Sequence, residues 1–250
     1  MSGGDGYLVG VILAAGFGTR LSPLTDDTPK PLLDVGGRPV ASHLVTLLRT
    51  LPTLDRIVVV TNGLHGDQWA QWQLDVGYPP PIQVESNGVQ DNDDRAGAVA
   101  DLGRALAAVD HDGAYVVLAG DNLLDESLAA HVAARPQHDG AVVLCRDLGD
   151  DVPPGRFGEV TCDADGVVTR FREKPAEPES PLVATCSYVL PPDAPTLVRD
   201  YLVEGGDPDA PGSFIGWLAE RRTVVARPLT GRYFDIGNIE TLEAARAAHR

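Results

Sequence analysis

The chain is poor in lysine. Its 20 basic residues comprise eighteen arginines and two lysines, set against 36 acids for a formal net charge of −16. Such an excess of negative charge repels nucleic acid and anionic membranes at long range, so neither is an expected partner. A small anion held by a few local donors is not excluded. No window approaches the ~20 consecutive apolar residues of a membrane span. The opening MSGGDGYLVG has neither a basic stretch nor a long apolar core, so the expectation is a cytoplasmic protein without an export signal. Cysteine is scarce too. Cys145, Cys162 and Cys186 are odd in number and form no CxxC pair, which argues for buried thiols rather than a disulfide framework. The six histidines lack metal-ligand spacing, so zinc is not expected.

Scarcity makes the two lysines informative. Lys30 lies in TPKPLL and Lys174 in REKPAE, each directly before a proline. Lysine is a compact point charge suited to a phosphate oxygen, whereas arginine is a planar fork. A chain that uses arginine almost everywhere has kept lysine at two motif-like places.

The hydrophobic pattern alternates between strand and helix. Apolar β-rich runs at 7–13, 56–62, 81–85 and 114–122 read as strands, mostly buried on both faces. Helical spacing fits 40–50, 64–76, 95–109 and 125–135, with Trp69 and Trp72 on one core-facing side. From about residue 140 the pattern changes. Strand-like runs at 140–146, 156–163, 167–173 and 182–190 are separated by Pro, Gly and Asp turns, with Asp165-Gly166 at a hairpin bend. Helices at 193–204 and 213–221, a strand at 223–229, a loop at 230–238 and a helix at 239–249 close the chain. The fold class is therefore α/β: a Rossmann-like three-layer α/β/α arrangement around a mostly parallel sheet, with a smaller, partly antiparallel region. A single domain is expected, with a nucleotide-binding core over about 8–138 and an acceptor-shaping part over about 139–250.

The first strand runs into LAAGFGTRLSPLTDDTPKPLL, residues 13–33. A strand that ends in a glycine-rich loop leading toward a helix can present backbone N–H groups to phosphate. The dinucleotide fingerprint is absent, because Leu21 stands where a third glycine belongs and the second strand ends VVVTNG, without an acid for a ribose. The P-loop pattern is absent as well. Gly16-x-Gly18 alone reads better as a structural turn than as a phosphate loop.

The whole stretch L-A-A-G-F-G-T-R-L-S-P-L-T followed by T-P-K-P-L-L resembles the signature of the sugar-phosphate nucleotidyltransferases, the pyrophosphorylases that make activated sugars. The resemblance implies transfer of a nucleoside monophosphate from an NTP to a sugar 1-phosphate, with release of pyrophosphate. It implies that Arg20 and Lys30 clamp the triphosphate and act in catalysis, while Leu13, Ala14, Ala15, Gly16, Gly18 and Thr19 wrap the nucleotide. Such chemistry depends on placement and charge neutralisation more than on covalent participation.

Other motifs fit the same resemblance. AGDN at 119–122 ends a strand where open α/β sheets bind ligands. A turn explains those residues equally well; the resemblance makes Asp121 a Mg2+ ligand. YFDIGN at 233–238 is similar to the family's aromatic-Asp-x-Gly element, which makes Asp235 the second Mg2+ ligand. An N-terminal cap is its alternative duty, one that Asn238 can also perform. FREKP at 171–175 resembles the family's Glu-Lys-Pro turn and implies acceptor contacts from Glu173 and Lys174, joined by Asn122 and Tyr188. VATCSYVL at 183–190 departs from the pattern, with Cys186 and Ser187 where glycine is usual. A side chain at 186 narrows the expected acceptor pocket and keeps open a cytidylyltransferase acting on phosphocholine or a phosphonate. The resemblance also implies that SNGVQDNDDRAGAV at 86–99 reads the base, with Asn87, Asp94, Arg95 and Gly97 as contacts; a turn and helix cap account for them nearly as well. A metal-dependent glycosyltransferase would want an acid-x-acid motif, which GDN is not. Mg2+ is the expected cofactor, NTP and sugar 1-phosphate are the expected partners, and a monomer or small homo-oligomer is the expected assembly.

Overall fold

The computed structural model describes residues 7–136 and 139–249. The chain opens with β1 (Leu8–Ala14), a small hairpin of β2 (Asp34–Val35) and β3 (Arg38–Pro39), and α1 (Val40–Leu48). Next come β4 (Leu54–Thr61), α2 (Gly66–Val76), β5 (Ile82–Ser86), α3 (Ala98–Ala107) and β6 (Tyr115–Ala119). A short β7 (Asn122–Leu124) and α4 (Ala129–Ala133) precede β8 (Ala141–Asp147), β9 (Glu159–Cys162), β10 (Val168–Arg172) and β11 (Leu182–Leu190). The chain closes with α5 (Ala194–Val203), α6 (Pro211–Ala219), β12 (Val224–Pro228), β13 (Tyr233–Asp235) and α7 (Ile239–Ala248).

Among the described residues the main sheet has nine strands. β5, β4, β1 and β6 are parallel neighbours, and β11 joins β6 antiparallel. The antiparallel continuation carries β8 and the β9–β10 hairpin, with β12 parallel to β8. The pleat explains why the central strands read as continuous apolar runs. Val9 and Val11 of β1, Val58 and Val60 of β4, and Tyr115 and Val117 of β6 enter the core beside α3, α5 and α6. Their alternating neighbours Ile12, Ile57, Val59, Val116 and Leu118 enter the core beside α1 and α2, where Trp69 and Trp72 pack edge to face. Each fully buried Val, Leu or Ile contributes about 1.5–3 kcal/mol, so both layers hold the sheet. Gly10 is small because a Cβ there would stand 2.8 Å from Leu48.

A third, smaller core positions the cleft. Leu21, Leu33, Val35, Val40, Leu123, Ile236, Leu242 and Ala245 are buried together, with Phe234 against them. Leu21 follows Arg20, Leu33 lies three residues after Lys30, Leu123 lies two after Asp121, and Ile236 follows Asp235. One apolar cluster thus fixes four polar residues from distant parts of the chain. It also explains Leu21: a third glycine would forfeit that anchor.

The loop expected at 230–238 is in part a strand. β13 pairs antiparallel with β7, matching Tyr233 with Leu124, Phe234 with Leu123 and Asp235 with Asn122. Glu126 secures the approach. Its carboxylate accepts from the Thr230 and Gly231 N–H groups at 2.6 and 2.7 Å and pairs with His131 at 2.8 Å. The final helix is capped by Asn238, whose Oδ1 accepts from Thr241 N–H while Thr241 Oγ1 accepts from Asn238 N–H. Asp235 has no part in that cap.

Candidate active site

The cleft lies at the carboxyl ends of β1 and β6, where side chains from both halves of the chain meet around a cavity of about 370 Å3. Ala14 ends β1, and the chain then leaves the sheet through Ala15 and Gly16. A Cβ on Gly16 would meet nothing within 4 Å, so the missing side chain leaves open room at the cleft wall. That room lets an anion approach the backbone. Gly18 serves the turn itself, with φ +66° and its carbonyl accepting from Thr25 Oγ1 at 2.9 Å. Two single-turn helices follow, Thr19–Leu21 and Lys30–Leu32, and they place Arg20 and Lys30 at the cleft.

Lys30 Nζ donates to Asp121 Oδ2 at 2.6 Å. Ile236 N–H donates to the Asp121 carbonyl at 3.0 Å, so the β7–β13 pairing sets Asp235 beside Asp121. Burial pushes the Asp235 carboxyl above the usual range, the Asp121 charge adds to the rise, and Lys30 and Arg156 oppose it. An Arg20 Nη and an Asp235 Oδ both lie within 4 Å of where a Cβ on Gly237 would sit, which places Arg20 in the same part of the cleft. Asp121 and Asp235 are 29% and 27% exposed, open enough to take a ligand. Two converging carboxylates are the group that could hold a divalent cation. Among the described residues no set of three or more His, Cys, Asp or Glu converges to hold a metal.

The opposite wall comes from the second half. Glu173 and Lys174 form an ion pair at 3.5 Å, and Lys174 has φ +45°. Glu173 is seated against the first turn of α6, where Gly212 leaves space its carboxylate occupies; a Cβ on Gly212 would overlap Glu173 Oε2 and Phe171. Behind this turn the buried Glu159 binds Arg172 through both carboxylate oxygens, at 2.8 and 2.9 Å, and accepts from the Glu179 and Ser180 N–H groups. Burial alone would raise the Glu159 carboxyl; those donors outweigh it and hold it below the usual value.

β11 bends at the cleft. Its register with β8 breaks between Ala184 and Tyr188, and Cys186 adopts φ +53°, a left-handed conformation that favours glycine. The thiol lines the cavity beside Tyr188, and burial pushes it up to about 12. The buried Asn122 donates to the Thr185 carbonyl at 2.6 Å and ties the bend to the strand after Asp121. A left-handed non-glycine residue costs about 1–2 kcal/mol. Cys186→Gly is therefore expected within about 1 kcal/mol of the parent, strain relief offsetting lost contacts, and Cys186→Val is expected to lose about 2–3 kcal/mol. Denaturant midpoints check this; equal losses for both variants would contradict the strain.

Fourteen of the eighteen expected site residues line this one cavity: Leu13, Ala14, Ala15, Gly16, Arg20, Lys30, Arg95, Gly97, Asp121, Asn122, Glu173, Lys174, Tyr188 and Asp235. Gly18, Thr19, Asn87 and Asp94 do not. Asn87 spends its amide on Asp101 Oδ1 at 2.9 Å and accepts from Val89 N–H, and it is Asp101 that reaches the cavity. Arg95 stands at the rim, paired with Asp209 at 2.8 Å. Gly97, at φ +95°, lets the start of α3 pack on the Pro208 carbonyl. The sequence reading missed Arg156, whose guanidinium lies 3.5 Å from Asp235 Oδ2 and 4.8 Å from the Phe157 ring centroid. Its signal was a lone Arg-Phe-Gly after two prolines, indistinguishable from an ordinary loop.

The chain is similar to known proteins. The chain is 33% identical over 186 residues to a UTP–glucose-1-phosphate uridylyltransferase of Haloferax volcanii, covering 73% of this chain and 71% of that protein. It is 27% identical over 217 residues to a UTP–glucose-1-phosphate uridylyltransferase of Synechocystis, covering 84% of this chain but only 55% of the longer relative. A Bacillus anthracis protein described as a glucose-1-phosphate thymidylyltransferase, solved with sucrose, superposes with a TM-score of 0.79 at 27% identity, over 97% of this chain and 95% of that one. The family model described as nucleotidyl transferase matches residues 9–250, and the chain belongs to that nucleotidyltransferase family.

Proposed function

We propose that the protein transfers a nucleoside monophosphate from an NTP to a sugar 1-phosphate. The observation that carries this reading is the meeting of Arg20, Lys30, Asp121 and Asp235 from one side with Glu173 and Lys174 from the other. An oxygen of the acceptor phosphate attacks the α-phosphorus in line. A new O–P bond forms, the bond from that phosphorus to the β-phosphate bridging oxygen breaks, and pyrophosphate leaves with the electron pair. The nucleophile is already anionic, so no general base is needed. Gly16 and the loop around it receive the triphosphate, and Arg20 and Lys30 neutralise its charge. Glu173 binds sugar hydroxyls and Lys174 the acceptor phosphate.

The donor set suits Mg2+. Both candidate ligands are hard carboxylate oxygens, and Mg2+ takes one or two of these while keeping waters and substrate phosphates. Asp121 and Asp235 would hold it, and when bound it neutralises phosphate charge and orients the triphosphate. Glucose 1-phosphate is the first acceptor to try, because the relatives carry it in their names. Cys186 narrows the acceptor end, so acceptors are best screened against each NTP. Pyrophosphate release across that panel tests the reading, and silence in every combination would overturn it. Within it, Lys174→Ala is expected to raise the acceptor KM by about 10- to 100-fold while the NTP KM moves little, as loss of a charge-assisted contact implies. Equal changes in both constants would remove Lys174 from the acceptor.

A further inference from the structure

We propose that Arg156 is a phosphate-neutralising cation on the acceptor side, resting on Asp235 in the free protein and turning to the acceptor phosphate when substrates bind. The proposal builds on the nucleotidyl-transfer reading above and adds a residue to it.

Arg156 lies between β8 and β9 and lines the cavity together with Glu173 and Lys174. Its loop is attached to theirs, since Gly155 N–H donates to the Pro175 carbonyl at 2.8 Å, in the same turn as Lys174. Gly158 packs on Phe171 and Glu173 so closely that a Cβ would stand 2.9 Å from Phe171 Cε1. Arg156 therefore belongs with the acceptor machinery, although its ion pair reaches Asp235, which sits beside Asp121.

Lys30 meets Asp121 at 2.6 Å with 12% of its side chain exposed, the mark of a tight charge-assisted bond. Arg156 meets Asp235 at 3.5 Å with 45% exposed. A long, half-exposed pair contributes little to stability. The guanidinium is instead kept ready, stacked on the Phe157 ring at 4.8 Å, with its fork free to take two phosphate oxygens.

Without substrate, Asp235 is partly buried beside Asp121, and Arg156 is one of the cations that offset the two carboxylates. Once a divalent cation occupies those carboxylates, that duty ends. A triphosphate and a phosphate monoester then bring more negative charge than Arg20, Lys30 and Lys174 balance, and Arg156 is a further cavity-lining arginine whose guanidinium already reaches Asp235.

The test uses calorimetry on the full chain. Glucose 1-phosphate, inorganic phosphate, Mg2+-UTP and Mn2+ are titrated into the parent, Arg156→Ala and Arg156→Lys. We expect Arg156→Ala to weaken glucose 1-phosphate by about 10- to 100-fold, to leave Mg2+-UTP within about threefold, and to leave Mn2+ binding equal or tighter because Asp235 has lost a competitor. Arg156→Lys should recover part of the loss. Thermal unfolding should coincide for the three proteins. Unchanged glucose 1-phosphate affinity in Arg156→Ala would overturn the proposal alone, as would equal weakening of Mg2+-UTP. A parent protein that binds neither phosphate probe nor Mg2+-UTP would overturn the transfer reading, and this proposal with it.

Discussion

Asp121→Asn and Asp235→Asn are each expected to lower pyrophosphate release by about a thousandfold or more, with the fold retained. The size follows from what each carboxylate does. Asn keeps the shape and one oxygen but removes the charge that would hold Mg2+ against the phosphates. The fold survives because neither carboxylate is buried in a core: the positions are set by the β7–β13 pairing and by Leu123 and Ile236 beneath it. Circular dichroism and the unfolding midpoint should therefore match the parent while turnover collapses. Near-normal turnover in both variants would remove these residues from the reaction.

Lys30→Ala carries the second largest expected effect, a loss of about 10^2–10^3 in kcat, the cost of deleting one preorganised donor to developing charge. Lys30 is only 12% exposed and bonded to Asp121 at 2.6 Å, so it is held in place before substrate arrives. Pro29 caps its single turn from a fixed extended backbone, and Pro31 lies inside that turn. Two effects should appear together in this variant. Turnover falls, and the Asp121–Asp235 pair, deprived of its closest cation, repels itself more strongly. Added Mg2+ should then raise the unfolding temperature more in Lys30→Ala than in the parent. A kcat within threefold of the parent would contradict the assignment.

The contrast between Lys30 and Asn87 shows what the sequence could reveal. The central strands carried a strong signal because they are buried on both faces, and expected and observed bounds differ by only a residue or two at β1, β4 and β5. Residues 182–190 were read as one strand and form β11. The signature loop was legible because glycine, arginine and lysine there each answer a chemical need at fixed spacing. The family resemblance makes Asn87 a base contact; which way its amide points depends on Asp101, fourteen residues on. β7 and β13 were hidden for another reason. Three-residue strands have no period to detect, and their partner lies more than a hundred residues away. Yet that pairing joins Asp121 to Asp235. Cys186 was visible as a departure from a glycine pattern; only the backbone shows that the position still demands the left-handed conformation.

The central claim is that this cleft joins the α-phosphate of an NTP to the phosphate of a sugar 1-phosphate. The most direct measurement supplies α-labelled NTP, glucose 1-phosphate and Mg2+ and follows the label and the released phosphates together. The account predicts that the label appears in a nucleoside diphosphate sugar, with one pyrophosphate released for each, and that Asp235→Asn abolishes both signals. Label appearing instead as free NMP or NDP, without pyrophosphate in step with a sugar nucleotide, would contradict it.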